Sequence, residues 1–390
     1  MKRVIIFLDE LYHKRKEGEV VSKYSSGSFF IDLKFKKSFL LPVADSSEID
    51  EGSVTTRIVD SKVYSLGEWS SVISFFKSYM KKENRQKINF TINEALKEAD
   101  VVWVRTPSFL GNMIARQAIK KNKKVLVHVA GDIREAWKNE KYNGVKRIFA
   151  FLLSYYLHWE QKKIFQKENV VGYFTGSALF DMYQSKKKYF FVDTLIRLSD
   201  MVFSNKSNDR EGLRLLFVGR LTEDKGIWVL LKVFEKLVKT EKLSLTIIGF
   251  GPEEVGIQTF IKEKGLLPFI DFRGFVPNHK LSTFFKSHDL FVMPSTLSEG
   301  FPRVIIEAWS YGLPVLSTRV GGIDGLGRDG ENIIFCEKNS MDSLEYKINM
   351  ALSQSDLLNK IKMNLERDRS DISYEYFKEL VEKEIFNHEV

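Results

Sequence analysis

The sequence predicts an α/β protein built as two parallel-sheet domains, and three observations carry that prediction. At 390 residues the chain exceeds one ordinary core, so two domains of about 150–200 residues each are expected. Short β-branched apolar runs alternate with amphipathic segments of roughly 10–15 residues, most clearly in the second half. The apolar runs are near-continuous rather than alternating, as in strands covered on both faces.

In the second half, RLLFVGR (214–220) leads into GIWVLLKVFEKLVKTEK. There Val229, Leu230, Val233, Phe234 and Leu237 recur at three and four and mark one helical face. SLTIIGFG (244–251) leads into PEEVGIQTFIKEKG, with Pro252 suited to a first helical position. IDFRGFV, KLSTFFKSHD, LFVMPS, PRVIIEAWSYG and PVLSTRV continue the alternation of strand and helix. In the first half, RVIIFLD, ADVVWVRTPS (99–108), KKVLVHVAGD (123–132) and NVVGYFTGS read as buried strands ending in polar turns. Residues 33–65 show no assignable period. SDMVFSNKSNDREG (199–212) is polar and aperiodic and reads as the linker. YEYFKELVEKEIF (374–386) puts Phe377, Leu380, Val381 and Ile385 on one helical face that must dock somewhere. Two Rossmann-like domains are therefore expected at 1–205 and 206–373, facing each other across a cleft, with 374–390 as a terminal helix.

Hydrophobic residues make up 44% of the chain and there is no low-complexity tract, which excludes a disordered protein. No short period repeats, which excludes a solenoid. The one cysteine, Cys336, cannot form an internal disulfide and reads as a buried, inert thiol in a reducing compartment. MKRVIIFLDE reads as a first core strand rather than a signal peptide. The longest apolar-aromatic stretch, Ile148 to Trp159, is shorter than the ~20 residues a bilayer span needs. A cytoplasmic location follows as the expectation.

The net charge of +9 is uneven: residues 1–200 carry 35 Lys and Arg against 23 Asp and Glu, and residues 201–390 carry 25 against 28. Such a field fits nucleic acid, an anionic membrane surface or a phosphorylated substrate. The chain has no recognition-helix or RNA-binding motif, so no nucleic-acid partner is expected. In KYNGVKRIFAFLLSYYLHWEQKKIFQK (141–167), Lys146, Arg147, Lys162 and Lys163 flank an aromatic-aliphatic stretch. This is the composition of an interfacial helix, peripheral on the inner membrane face, or of an ordinary helix covering the first sheet.

Ligands of open parallel sheets bind at the carboxyl ends of the strands, and three motifs of the second half sit there. In FVGRLTEDKGIWVL, Arg220 and Lys225 bracket the loop before a helix that starts near Gly226. They form a phosphate site at a helix N-terminus, or are two solvated surface charges. In IIGFGPEE, Gly249 and Gly251 permit a tight turn, which alone indicates only a turn. In LSEGFPRVIIEAWSYGLPVLST, Glu299 lies in the loop and Glu307 inside the following helix. Pro302 stands near that helix start and Gly312 just past its end. Free N–H groups near Phe301, Arg303 and Val304 attract an anion such as a pyrophosphate, while carboxylates accept hydrogen bonds from sugar hydroxyls. Read singly, Glu299 is a helix-dipole acid and Glu307 a surface acid. Read together, they suit a sugar and a ribose.

GRLTEDKG, IIGFGP, FRGFVP and MPSTLSEGFPRVIIEAWSYGLPVLSTRVGG stand in the order and spacing of the retaining glycosyltransferases of family four, which have the GT-B fold. The chain resembles that family over about residues 213–340. The resemblance implies that Arg220 and Lys225 hold a donor diphosphate together with the loop Gly300, Phe301, Pro302, Arg303 and Val304. It implies that Glu307 binds the ribose and that Glu299, the expected catalytic residue, touches the donor sugar or lies near the reacting centre. The backbone around Phe275 and Val276 would meet the base, and the C-terminal helix would cross back to the first domain. The implied substrate is a nucleotide-diphosphate sugar, expected to be a UDP-sugar, with a lipid-linked or polysaccharide acceptor in cell-surface glycan synthesis. No Asp-x-Asp occurs, so neither metal nor cofactor is expected; cations and helix amides would stabilise the leaving diphosphate. The alternatives are a sugar-nucleotide epimerase or phosphorylase on the same scaffold, or a catalytically silent nucleotide-sugar-binding subunit.

VWVRTPSFLGNMIARQAIKKNKKVLVHVAGD is similar to the capsule, exopolysaccharide and lipopolysaccharide branch of that family, and HKRKEGEVVS to its glycine loop. By this resemblance Gly18, Arg105 and Asp132 stand on the acceptor side. Many relatives carry a histidine just before Gly-Asp, where this chain has Ala130. His128, two residues earlier, shares its strand face and reads either as a core histidine or as a partial substitute. His13, in the basic loop, is the other candidate.

Overall fold

The structure, a computed structural model, describes residues 1–15, 18–45, 49–50, 54–69, 72–138, 142–203, 212–296 and 300–386. The chain divides into two compact units, Met1–Leu195 with Phe377–Val390, and Ile196–Tyr376. The division falls at 195/196 rather than 205/206 because the intervening segment is fastened to unit two. The Val202 N–H donates to the Ser310 carbonyl at 3.0 Å, and the Tyr374 N–H donates to the Ile196 carbonyl at 2.7 Å.

Unit one contains β1 (Arg3–Phe7), β2 (Tyr12–Lys14), β3 (Val20–Ser22), β4 (Lys36–Leu41), β5 (Val43–Ala44), β6 (Thr56–Ile58), β7 (Lys62–Ser65), β8 (Val101–Thr106), β9 (Lys124–Val129), β10 (Val170–Phe174) and β11 (Lys187–Phe190). Seven of these form a parallel sheet in the order β11-β10-β9-β8-β1-β4-β7. The valines of β8 and β9 are buried, as their unbroken apolar runs require. Strands β5-β2-β3-β6 form a small second sheet. The stretch without a period thus supplies β4 to β7.

The helix Tyr374–Phe386 carries its apolar face into unit one, with Phe377, Val381 and Ile385 buried. Phe377 meets Phe191 edge-on at 5.7 Å between ring centres, and the Tyr173 hydroxyl donates to the Leu380 carbonyl at 3.1 Å. Each such apolar side chain is worth about 1.5–3 kcal/mol when buried. Glu384, buried on the same face, accepts hydrogen bonds from Lys124 at 2.8 Å and Tyr189 at 2.6 Å, which offset its desolvation.

Unit two contains β12 (Leu213–Val218), β13 (Leu243–Ile248), β14 (Ile270–Gly274), β15 (Leu290–Met293), β16 (Val315–Thr318) and β17 (Ile334–Cys336). They form one parallel sheet in the order β14-β13-β12-β15-β16-β17. The chain steps outward from β12 to β14, then returns to lay β15 on the other side of β12. The strand order therefore reverses between β12 and β15, which opens a crevice at their carboxyl ends. In unit one the same reversal lies at β1, between β4 and β8. Cys336 ends β17 as a buried thiol, and burial pushes its pKa up to about 12.

Candidate functional site

Backbone contacts lock the loops at the switch point of unit two. After β12 the chain passes Gly219, Arg220, Leu221 and Thr222, makes a 3-10 turn over Glu223–Lys225, and enters the helix Ile227–Leu237. Between turn and helix Gly226 is left-handed, with φ of 73°. A Cβ on Gly226 would collide with the carbonyl oxygen of Pro294, just past β15, so only glycine fits. The Thr296 N–H donates to the Asp224 carbonyl at 2.7 Å and fastens the same two loops. A Cβ on Gly249 or Gly251 would strike the carbonyl oxygens of Gly219 and Leu221 respectively. The Leu221 N–H also donates to the Phe250 carbonyl at 2.9 Å. The glycines of IIGFGP are thus a packing device that sets the Arg220 loop.

Arg220 is exposed and Lys225 is buried. Burial, aided by the neighbouring Arg220 charge, pushes the Lys225 ammonium down from 10.5 to about 8, against the pull of Asp224. An anion relieves repulsion between two such cations. Thr222 Oγ1 and Ser295 Oγ, in these same loops, are buried without a hydrogen-bond partner among the described residues. The helix Arg303–Ser310 opens nearby in the chain after β15. Its Ile305 N–H donates to the Pro302 carbonyl at 3.0 Å, which closes the first turn over Arg303 and Val304. Phe301 is buried against Trp309, and the Gly300 carbonyl accepts from the Gly322 N–H at 3.1 Å. These contacts fix the entry to the helix.

Glu307 is half-buried on that helix. Burial raises its carboxyl above the ordinary 4.5, while Arg303 and a hydrogen bond with the Asn278 side chain act to lower it. Asn278 opens the helix Asn278–Ser287 directly after Phe275, Val276 and Pro277. Glu307 is therefore held beside the segment that carries Val276. Phe275 and Phe250, both exposed, meet edge-on at 5.7 Å at the ends of β14 and β13. Asn278 escaped the reading of the sequence; its one signal is its place after proline at a helix start. Glu299 lies outside the described residues.

The remaining candidates belong to unit one. Gly18 sits in the turn between β2 and β3, left-handed with φ of 81°. Arg105 lies near the end of β8, and its Nη1 donates to Glu10 Oε1 at 3.1 Å, an oxygen that also accepts from Ser26 Oγ at 2.7 Å. Asp132 follows β9. Burial acts to raise its carboxyl, but the paired Arg134, with Nη2 to Oδ2 at 2.8 Å, holds it below the ordinary range. His128 is 2% exposed, wedged between Trp103 and Phe191, with Nε2 at 2.8 Å from Thr175 Oγ1. Those contacts make it a packed member of the sheet face. His13 lies on β2, register-paired with Val21.

Residues 201–368 match the family described as Glycosyl transferases group 1. Unit two is a group 1 glycosyltransferase domain. The chain is 28% identical to protein CapJ of Staphylococcus aureus over 241 residues, covering 61% of this chain and 59% of CapJ. It is 27% identical over 180 residues to WcaL of Escherichia coli, described as a putative colanic acid biosynthesis glycosyltransferase, covering 44% of each. The chain spans about half the length of the curated relatives it matches. Among solved structures, sucrose-phosphate synthase from Thermosynechococcus elongatus superposes with a TM-score of 0.67 at 15% identity, covering 98% of both chains. Anabaena HepE in complex with UDP gives 0.66 at 13% identity, covering 98% of this chain and 99% of that one. These likenesses place the group 1 domain within a chain whose two Rossmann-like halves have the GT-B fold.

Proposed function

We propose that the chain is a retaining glycosyltransferase that moves a sugar from a UDP-sugar to a lipid-linked or polysaccharide acceptor in cell-surface glycan synthesis. One observation carries the reading. A buried lysine beside an arginine and the helix start at Arg303 follow the two strands of one switch point, and Glu307 on that helix is hydrogen-bonded beside Val276. Arg220, Lys225 and the amides of Arg303 and Val304 take the diphosphate, with Gly300, Phe301 and Pro302 setting their position. Glu307 takes the ribose hydroxyls, and Phe250, Phe275 and the Val276 backbone take the base. The UDP bound by HepE, a fold relative, supports uracil as that base.

In the reaction, the bond from the anomeric carbon to the diphosphate oxygen breaks and a bond to an acceptor oxygen forms. Negative charge grows on the leaving diphosphate, where Arg220, Lys225 and the helix amides stabilise it. Positive charge grows on the sugar, where Glu299 acts. The acceptor hydroxyl loses its proton to the departing diphosphate oxygen as its own oxygen bonds to the sugar. Gly18, Arg105 and Asp132 stand on the acceptor side in unit one; His128, packed in the sheet, takes no part. A hydrolysis screen of nucleotide sugars without acceptor tests the reading. Release of sugar from one UDP-sugar is expected; no turnover with any nucleotide sugar, together with UDP binding, would leave a silent binding subunit.

A further inference from the structure

The helix Gly144–Phe165 of unit one has two unlike faces. Leu157, Glu160, Gln161, Ile164 and Phe165 are buried against the unit. On the opposite side Val145, Ile148, Leu152, Tyr155 and Trp159 recur at three and four residues and are 82%, 63%, 62%, 50% and 52% exposed. A contiguous apolar stripe of this length on a soluble surface marks an interaction site. The charges around it have one sign. Lys146 and Arg147 stand at one end, and Lys162 and Lys163 at the other, with the Lys163 ammonium 3.6 Å from the Trp159 ring centre. The helix has a single acid, Glu160, which is turned inward and held by Arg116 at 2.6 Å and Tyr156 at 2.7 Å.

We infer that this face docks on an anionic phospholipid surface, with the helix lying in the interface plane. Charge decides between that occupant and a second copy of the chain. Paired in parallel, two such helices would set Lys146 and Arg147 against themselves; paired antiparallel, they would set them against Lys162 and Lys163. Both arrangements oppose cations, whereas a bilayer rich in phosphatidylglycerol supplies anions along the whole helix and hydrocarbon under the stripe. Among the described residues no helix is long and apolar enough to cross a membrane, so the contact is peripheral. It stands independently of the donor chemistry of unit two.

Flotation of the full chain with phosphatidylglycerol-phosphatidylcholine vesicles tests the inference. Binding at low salt is expected, with on the order of tenfold weaker binding to pure phosphatidylcholine and release at high salt. Ile148→Asp with Leu152→Asp should weaken binding at least about tenfold, and Lys162→Glu with Lys163→Glu similarly. Thermal melting and UDP affinity of both variants should match the wild type, since these side chains are exposed and lie in unit one. Wild-type hydrogen exchange, which needs no variant, should slow over residues 144–159 when vesicles are added. No binding to anionic vesicles, or binding unchanged in both variants, overturns the inference. So does a wild-type dimer in light scattering that the Ile148 and Leu152 changes convert to monomer, which would give the face to a second copy.

Discussion

Lys225 gives the proposed donor site a pH signature that can be worked from the structure. Its pKa of about 8, against an ordinary 10.5, means that burial and Arg220, net of the pull of Asp224, disfavour the ammonium by on the order of 3 kcal/mol before solvent screening. A diphosphate between the two cations restores the charged form, so binding must take up a proton wherever Lys225 of the ligand-free protein is partly neutral. Near pH 8 about half a proton should be taken up, falling toward zero at pH 6.5. Affinity for UDP should therefore fall with rising pH from about 7.5 upward. Calorimetry in two buffers of different ionisation enthalpy measures the uptake directly. Lys225→Met should abolish it and weaken UDP by roughly 1.5–3 kcal/mol at pH 7, the worth of a hydrogen bond to a charged group. The same substitution should raise the stability of the ligand-free protein. A lysine whose folded pKa is depressed is destabilising below that pKa, and the cost lifts as pH climbs from about 8 toward 10.5. A gain of about 1–2 kcal/mol at pH 7, after allowance for solvent screening, should appear in denaturant melts. Equal proton uptake in wild type and Lys225→Met would refute the placement of the diphosphate.

The remaining expectations concern the same loops. Gly226→Ala should destabilise unit two by more than about 2 kcal/mol and remove UDP binding, because its methyl group meets the Pro294 carbonyl; a melt and a titration report both effects. Glu307→Gln should raise the donor KM more than it lowers kcat, since a ribose contact is alike in ground and transition states, whereas Glu299→Gln should lower kcat strongly and leave UDP affinity nearly intact. Steady-state kinetics of the two single variants should separate these patterns, and near-normal kcat in Glu299→Gln would remove it from the reacting centre. Turnover should survive excess chelator; loss with EDTA and rescue by magnesium or manganese would show that Arg220, Lys225 and helix amides do not suffice for the leaving group.

Legibility of the sequence followed the length of the period. Strands β12, β13 and β15 are four to six residues of mostly apolar character followed by glycine or proline, so their ends, and hence the chain positions of Arg220, Lys225 and Glu307 relative to them, could be placed in advance. Strands β4 to β7 run only two to six residues and split between two sheets, and no period develops over such lengths. Alternation put His128 on a face of β9, but could not show that Trp103 and Phe191 would fill the space around it. Glycine placement was visible; its reason was not. Gly226, Gly249 and Gly251 answer to carbonyl oxygens on other loops, a steric demand that no local pattern encodes. Asn278 reaches Glu307 only once β14 and β15 have set their helices in place.

Unit one is discontinuous in the chain, and this orders its biosynthesis. Residues 377–386, with Phe377, Val381, Glu384 and Ile385, leave the ribosome only after all of Ile196–Tyr376 has been made. Until then the face of unit one around Tyr173, Tyr189 and Phe191 lacks its cover, and Lys124 lacks the carboxylate it binds. Unit two, contiguous in sequence, has every one of its strands in hand before that cover arrives. A nascent chain stalled just short of Phe377 would therefore present a complete second sheet and an unsealed first one. The segment a chaperone or protease would find open on such a chain is the amino-terminal half, although it was the first to be synthesised.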